Sequence, residues 1–276
     1  MTAQRPILSA EEVWRTYDAM EVRPTAPLTE RMLDLAGIRP GMRLLDLGTG
    51  RGEPAISAAR RVGPSGFVLG VDVSASMLDM ARQRASREGV TNLELRVMNA
   101  EALGGIPMAY FDATLARWSL MYMGSPVAAL GGARRAMVPS GVLVAAVWAE
   151  PERVPYFSLP RRVLERHRPL PPIDFAAPGT FRFADPERMQ RDFRDAGLRI
   201  EHVEEMEIPV MEAETAAELV AWVRAFGLTR LLNDLPEQAQ AHWEAELAQE
   251  AESLRKDGFV RLGGVTRIVV ASSSSA

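Results

Sequence analysis

Across residues 42–148, short unbroken apolar runs alternate with stretches in which apolar residues recur every three or four positions. The first pattern predicts strands buried on both faces, the second helices with one covered side. Strands are read at 42–47, 67–72, 93–98, 111–116 and 142–148, the last being the most apolar. Helices fall between them at 54–62, 76–88 and from Ser125-Pro126 to about Val138. Strand and helix in strict alternation predict an α/β fold with a doubly wound, mainly parallel sheet.

The flanks read differently. Ser9 with Glu12 makes a capping box, and Pro27 suits the first position of a helix that stops at Gly37. Two helices are therefore expected as an N-terminal cover over 1–38, ahead of a core over 39–276. The rhythm breaks at 151–183, which is rich in proline and holds Tyr156, Phe157, Phe175, Phe181 and Phe183. It is read as an insertion facing substrate, helical around 159–167. Asp185-Pro186 restarts a helix that Gly197 ends, and a strand follows at 199–209. Thr215 with Glu218 caps a helix over 216–226. A longer helix at 236–256 and a final strand at 265–271 close the chain.

Composition narrows the function. The 276 residues are 47% hydrophobic and 25% charged, enough for a core without metal or disulfide staples. Cysteine is absent, which excludes a thiolate zinc site and a cysteine nucleophile. The net charge is −4, and basic pairs such as Arg60-Arg61 and Arg134-Arg135 are scattered among acids, so a nucleic-acid partner is not expected. The opening MTAQRPILSAEEVW lacks the pattern of a secretion signal, and the longest apolar run, 142–149, is far short of the ~20 residues of a membrane helix. A cytoplasmic protein with a small-molecule substrate and no membrane partner is the expectation.

The chemistry gathers at strand ends. LLDLGTGRGEPAI (44–56) takes a buried strand into a tight turn through Gly48, Gly50 and Gly52, where missing Cβ atoms let the backbone bend and approach a ligand. Asp72, 24 residues after Gly48, ends the second strand, the separation at which an acid receives ribose hydroxyls. Asn99 follows the third strand with an amide oxygen suited to an adenine amine, and Arg117-Trp118 follow the fourth. Carboxyl ends of strands are where open α/β sheets hold ligands.

These segments, with GVDVSASML (70–78), NAEAL (99–103), FDATLARWSLM (111–121) and ARRAMVPSGVLVAAVW (133–148), resemble the class I S-adenosylmethionine-dependent methyltransferases of the ubiquinone/menaquinone type. The likeness is tight over 39–148 and looser to about 203. VPYFSLP (154–160) and PGTFRFADPERM (178–189) resemble the branch that modifies natural products. The resemblance implies a seven-stranded sheet in the order 3-2-1-4-5-7-6, the last strand antiparallel, and S-adenosylmethionine as cofactor. It implies that Gly48 and Gly50 face the methionine portion, Asp72 the ribose and Asn99-Ala100 the adenine, with Arg117 lining the site. Asp46, Thr49, Val73, Met77, Glu101, Trp118 and Tyr17 complete the implied cofactor set. Asn99 departs from the aspartate common there, and either side chain accepts from an amine.

A dinucleotide site is the main rival. Its fingerprint needs glycine three positions after Gly50, where Glu53 stands, and a carboxylate there opposes pyrophosphate. For transfer from a sulfonium the protein must align nucleophile, methyl and sulfur and exclude water. Trp14, Met121, Tyr122, Tyr156 and Phe157 are the expected pocket wall. Of the three histidines, His167 is the candidate general base; His202 falls in a strand and His242 in a remote helix. The stretch 113–123 holds no acid, so no metal is expected. The resulting expectation is O-methylation of a phenol or enol on a secondary metabolite such as a polyketide. C-methylation of a quinol-type ring is the alternative, and a protein that reuses the fold without methylating is a third.

Overall fold

In the computed structural model, which describes residues 10–273 without the side chains of 10, 11 and 13–21, the apolar runs become the strands of one sheet. They are β1 (Arg43–Leu47), β2 (Phe67–Asp72), β3 (Leu93–Val97), β4 (Phe111–Arg117) and β5 (Met137–Trp148). Leu44, Leu45, Val68, Val71, Ala113, Leu115 and Val144 are all shielded from solvent, so the continuous apolar reading reflects cover on both faces. β1 pairs in parallel with β2 and β4, β2 with β3, and β4 with β5.

The intervening helices are α2 (Ala55–Val62), α3 (Ala75–Arg87) and α4 (Pro126–Ala136). Ser74 caps α3 by accepting from Met77 N, and Ser125 caps α4 by accepting from Ala128 N, with Pro126 opening the first turn. Next come α5 (Pro155–Glu165), α6 (Pro186–Asp195), β6 (Leu198–Ala213), α7 (Ala216–Val223), α8 (Thr229–Asn233), α9 (Glu237–Glu252), β7 (Arg255–Lys256) and β8 (Phe259–Ser273). The capping box of Thr215 and Glu218 is formed.

The sheet runs β3-β2-β1-β4-β5-β8-β6, with β8 antiparallel to β5. This is the expected order with an eighth strand added. The addition is β7, which pairs with β8 through a turn at Asp257 and Gly258, both at positive φ (52° and 86°). Asp-Gly is the pairing such a hairpin turn favours, and it ends α9 earlier than the expected 256. A second correction concerns the N-terminal region. One helix, α1 (Ala10–Leu35), replaces the two expected and runs through Pro24 and Pro27. Its buried residues Leu28, Met32 and Leu33 supply packing that overrides the local preference.

The chain divides into two compact units. One comprises Pro27–Glu150, Asp174–Met206 and the chain from Thr266 onward, and holds β1 to β5 with part of β6 and of β8. The other comprises the chain up to Ala26, Pro151–Ile173 and Glu207–Val265. In that unit α5 packs on α9 around the buried Trp243, whose Nε1 donates to the Pro160 carbonyl at 3.3 Å. Buried Arg224 there pairs with Glu244 at 2.8 Å. No helix among the described residues is long and apolar enough to cross a membrane.

Candidate functional site

At the carboxyl end of β1 the backbone turns sharply, and the turn is held from beneath. Gly48 N and Thr49 N both donate to the Val71 carbonyl, at 2.8 and 3.0 Å. Gly48, Gly50 and Gly52 all have positive φ (69°, 50° and 104°). Gly48 is required twice over, because a Cβ there would also stand 2.5 Å from Ser119 Cβ. Ser119 is fixed in that place by donating its hydroxyl to Leu47 O at 2.6 Å. Gly50 lies beneath Met77, whose Cε is 4.0 Å from the position of an added Cβ.

Asp72 closes the turn. Its Oδ2 accepts from Gly50 N and its Oδ1 from Ser74 N, each at 2.9 Å. Each oxygen keeps a lone pair for a further donor. Val73, next along, is a valine 70% exposed to solvent. Beyond β3, Asn99 Oδ1 accepts from Glu101 N at 2.9 Å, and Ala100 is buried. Glu101 is engaged structurally: its two carboxylate oxygens accept from Gly124 N (3.0 Å) and Ser125 N (2.7 Å), at the start of α4.

Asp46 is the unusual group. It is fully buried at the end of β1, and neither carboxylate oxygen has a hydrogen-bond partner among the described residues. Burial pushes its carboxyl up to about 7; the Thr49 hydroxyl and the Arg117 charge pull it down, while Glu53 and Asp72 push it up. The Thr49 hydroxyl stands beside it without completing a bond and packs over Gly70. Arg117 reaches across from the end of β4, its Nη1 donating to Thr29 Oγ1 of α1 at 3.1 Å.

Trp118 carries positive φ (51°), an uncommon conformation for a bulky residue. It is held there by stacking on Trp148 (4.4 Å between centroids, 13° between planes) and by donating from Nε1 to Thr266 Oγ1 at 3.0 Å. Arg117 lies over its ring at 5.3 Å. The structure thus brings Asp46, Gly48, Thr49, Gly50, Asp72, Met77 and Arg117 to neighbouring strand ends of one unit. Met121 is buried and Tyr122 exposed in the segment after β4. Tyr156, Phe157 and His167 belong to the other unit, where His167 Nε2 lies 3.3 Å from Glu246 Oε1. Trp14 and Tyr17 fall in α1, and their side chains lie outside the described residues.

Two features escaped the sequence reading. Thr29 and Ser119 act through contacts 88 and 72 residues away, and no local pattern announces either. Glu53 is corrected: its carboxylate pairs with Arg84 at 2.6 Å, with both side chains nearly buried. Its charge is largely compensated, so it opposes a pyrophosphate less than its position in the turn implies.

Residues 38–158 match the family described as a methyltransferase domain. The aklanonic acid methyltransferase of Streptomyces sp. (strain C5) is 36% identical over 115 residues, covering 42% of this chain and 52% of the relative. The nocamycin O-methyltransferase of Saccharothrix syringae is 38% identical over 103 residues, covering 37% and 36%. A ubiquinone/menaquinone biosynthesis C-methyltransferase of Bordetella avium is 39% identical over 109 residues, covering 40% and 42%. The chain therefore spans about half, or less, of the length of these curated relatives. Among solved structures, the YcgJ protein of Bacillus subtilis shares the fold with a TM-score of 0.60 at 17% identity, covering 91% of this chain and 100% of that one. The likeness to a methyltransferase domain is thus carried by residues 38–158.

Proposed function

We propose that this chain transfers the methyl group of S-adenosylmethionine to a phenol or enol hydroxyl of a small secondary metabolite such as a polyketide. The observation that carries the reading is the group at the ends of β1, β2 and β4. A buried carboxylate without a hydrogen-bond partner among the described residues, Asp46, stands within the field of Arg117 beside a glycine turn that Asp72 ties down. That set fits a zwitterionic amino-acid tail joined to a ribose. Asp46 and Arg117 offer opposite charges to the ammonium and carboxylate, and the Gly48–Gly50 backbone leaves room for close approach. The free lone pairs of Asp72 suit ribose hydroxyls, while Val73 and Ala100 offer apolar surface to a base.

When bound, S-adenosylmethionine supplies an electrophilic methyl group on a sulfonium sulfur. The chain's part is to orient acceptor and donor and to keep water out, for which the buried Leu120 and Met121 after β4 provide apolar cover. Arg117, held by Thr29, fixes a positive charge at that edge.

Transfer to oxygen is favoured by the likeness to an O-methyltransferase at 38% identity; transfer to a quinol-type ring carbon is the second reading, favoured by the C-methyltransferase at 39%. Calorimetric titration with S-adenosylhomocysteine tests the common core, with NAD as control and Asp72→Ala as comparison. Micromolar binding of the homocysteine compound alone, weakened at least tenfold in the variant, is the expected outcome. Absence of binding, or a preference for NAD, would overturn the reading. Fragmentation of a methylated product then assigns the new methyl to oxygen or to carbon.

A further inference from the structure

Beyond the strand-end group, the segment 174–188 holds two arginines whose side chains are not fully partnered among the described residues. Arg182 is only 9% exposed, and its Nη1 donates to the carbonyls of Met123 (2.6 Å) and Gly124 (3.4 Å), just past β4. Half-buried Arg188, on α6, donates to the carbonyls of Phe175 (2.9 Å) and Ala176 (3.3 Å). The Nε–H groups of both arginines are shielded from solvent and have no acceptor among the described residues. Desolvation, and then the nearby charge of Arg188, hold the Arg182 guanidinium below its ordinary pKa.

The carboxylate facing both arginines is Asp192. Burial pushes its own pKa up, and its Oδ2 is also without a partner. Glu101 acts on Arg182 too, but its oxygens already accept from Gly124 N and Ser125 N. Asp192 and Glu101 supply the negative charge near the arginines, yet neither accepts from the two Nε–H groups, and a shielded donor left without an acceptor is costly unless a further oxygen completes it.

The same segment presents aromatic surface. Phe175 is 44% exposed and Tyr122 52% exposed, with the Tyr122 hydroxyl 3.2 Å from Thr180 Oγ1. Gly179 N donates to Met121 O at 2.9 Å, which stitches the segment to the chain leaving β4. Buried Arg267 of β8 fixes it from the other side by donating to Ala184 O at 2.7 Å while pairing with Glu150 and Glu205. The arginines are therefore held on a built surface beside the carboxyl end of β4, the edge at which open α/β sheets receive ligands.

We propose that Arg182 and Arg188, with the rings of Tyr122 and Phe175, form a subsite for an aromatic acceptor bearing an anionic oxygen, a carboxylate or a comparably acidic enol. The proposal rests on the methyltransferase reading and deepens it by naming the charge of the acceptor. Guanidinium groups match planar, delocalised oxyanions in both charge and shape, and the exposed rings offer a face for stacking.

The test is calorimetry on the full chain saturated with S-adenosylhomocysteine, using 1-hydroxy-2-naphthoate and its uncharged analogue 1-hydroxy-2-naphthamide. The acid is expected to bind at least about tenfold more tightly than the amide, and less so as salt is raised. Arg188→Gln, on the more exposed of the two residues, and Arg182→Lys, which keeps the charge but loses the fork, should each reduce the acid's affinity about fivefold or more and leave the amide's unchanged. Equal binding of acid and amide, failure of both at millimolar concentration, or an acid preference that survives in both variants would overturn the proposal. The binding of S-adenosylhomocysteine is recorded first. If that fails, the methyltransferase reading falls, and the naphthoate comparison on the ligand-free chain still decides the subsite.

Discussion

Asp46 ties stability to binding at a single carboxyl. Burial raises it from 3.8 to about 7, so the folded chain holds this proton longer than the unfolded chain does. Its contribution therefore favours the fold at acid pH, declines between about pH 4 and pH 7, and is level above that. A shift of this size corresponds to something on the order of 4 kcal/mol against the ionised form. Asp46→Asn removes the ionisation but leaves an unbonded amide, so the net gain at pH 8 is expected to be about 1–2 kcal/mol, or about 2–8 °C in melting midpoint. The gain should shrink as the pH falls through that window, which a melting series in buffers from pH 5 to 8 would show. If the ammonium of the ligand sits on Asp46, the wild-type affinity for S-adenosylhomocysteine rises from pH 6 to 8, and the variant loses both affinity and slope. Gly48 makes the complementary case, in which backbone freedom matters more than charge. Gly48→Ala meets Ser119 Cβ at 2.5 Å and adopts a φ of 69°. Strain of about 1–2 kcal/mol and overpacking of about 1–3 kcal/mol add. Urea unfolding should show that loss, and adding Ser119→Gly should return only the steric part.

The junction of the glycine turn with α2 and α3 depends on an ion pair whose two side chains are close to buried, Glu53 with Arg84 (9% and 11% exposed). Removing one partner strands the other, so Arg84→Met is expected to cost about 3–5 kcal/mol in chemical denaturation, while the double change Glu53→Gln, Arg84→Met costs clearly less. Equal losses in the single and double variants would show that the pair contributes nothing as a pair. Elements of this kind mark where sequence reading stops. The strands from β1 to β5 were legible because burial on both faces writes itself as unbroken apolar runs, and the starts of α4, α6 and α7 because Ser125, Asp185 and Thr215 announce them. The glycine turn and Asp72 were legible because their roles depend on local backbone and spacing. Arg84 on Glu53, Thr29 on Arg117 and Ser119 on Gly48 were not, since each partner lies far along the chain. The continuous α1 was missed for a related reason: its prolines speak locally, whereas the buried Leu28, Met32 and Leu33 speak only through packing.

For the molecule as a whole, the division into two units cuts across the order of the chain. The region 151–183, expected as one insertion, is apportioned at Ile173 and Asp174, with His167, Tyr156 and Phe157 in one unit and Arg182 in the other. No periodicity in the sequence marks that boundary, because both sides are irregular and proline-rich. The boundaries also fall inside continuous elements: within α1 at Ala26, within β6 at Met206 and within β8 at Val265. A strand whose two halves belong to different units cannot lose its hydrogen-bonding neighbours in one without loosening the backbone that enters the other. Independent folding units are joined instead by exposed linkers that few contacts cross. The chain is therefore expected to unfold as a single cooperative event despite its length, with the calorimetric and van't Hoff enthalpies agreeing and far-ultraviolet and tryptophan signals changing together. Trp118 and Trp148 report the unit that carries the strands β1 to β5, and Trp222 and Trp243 the other, so mutating each pair to phenylalanine, with Trp14 replaced in both sets, separates the two signals. Coincident midpoints in the two variant sets would confirm that the shared strands couple the units, whereas a unit that melts first would show that β6 and β8 transmit no cooperativity across their middle.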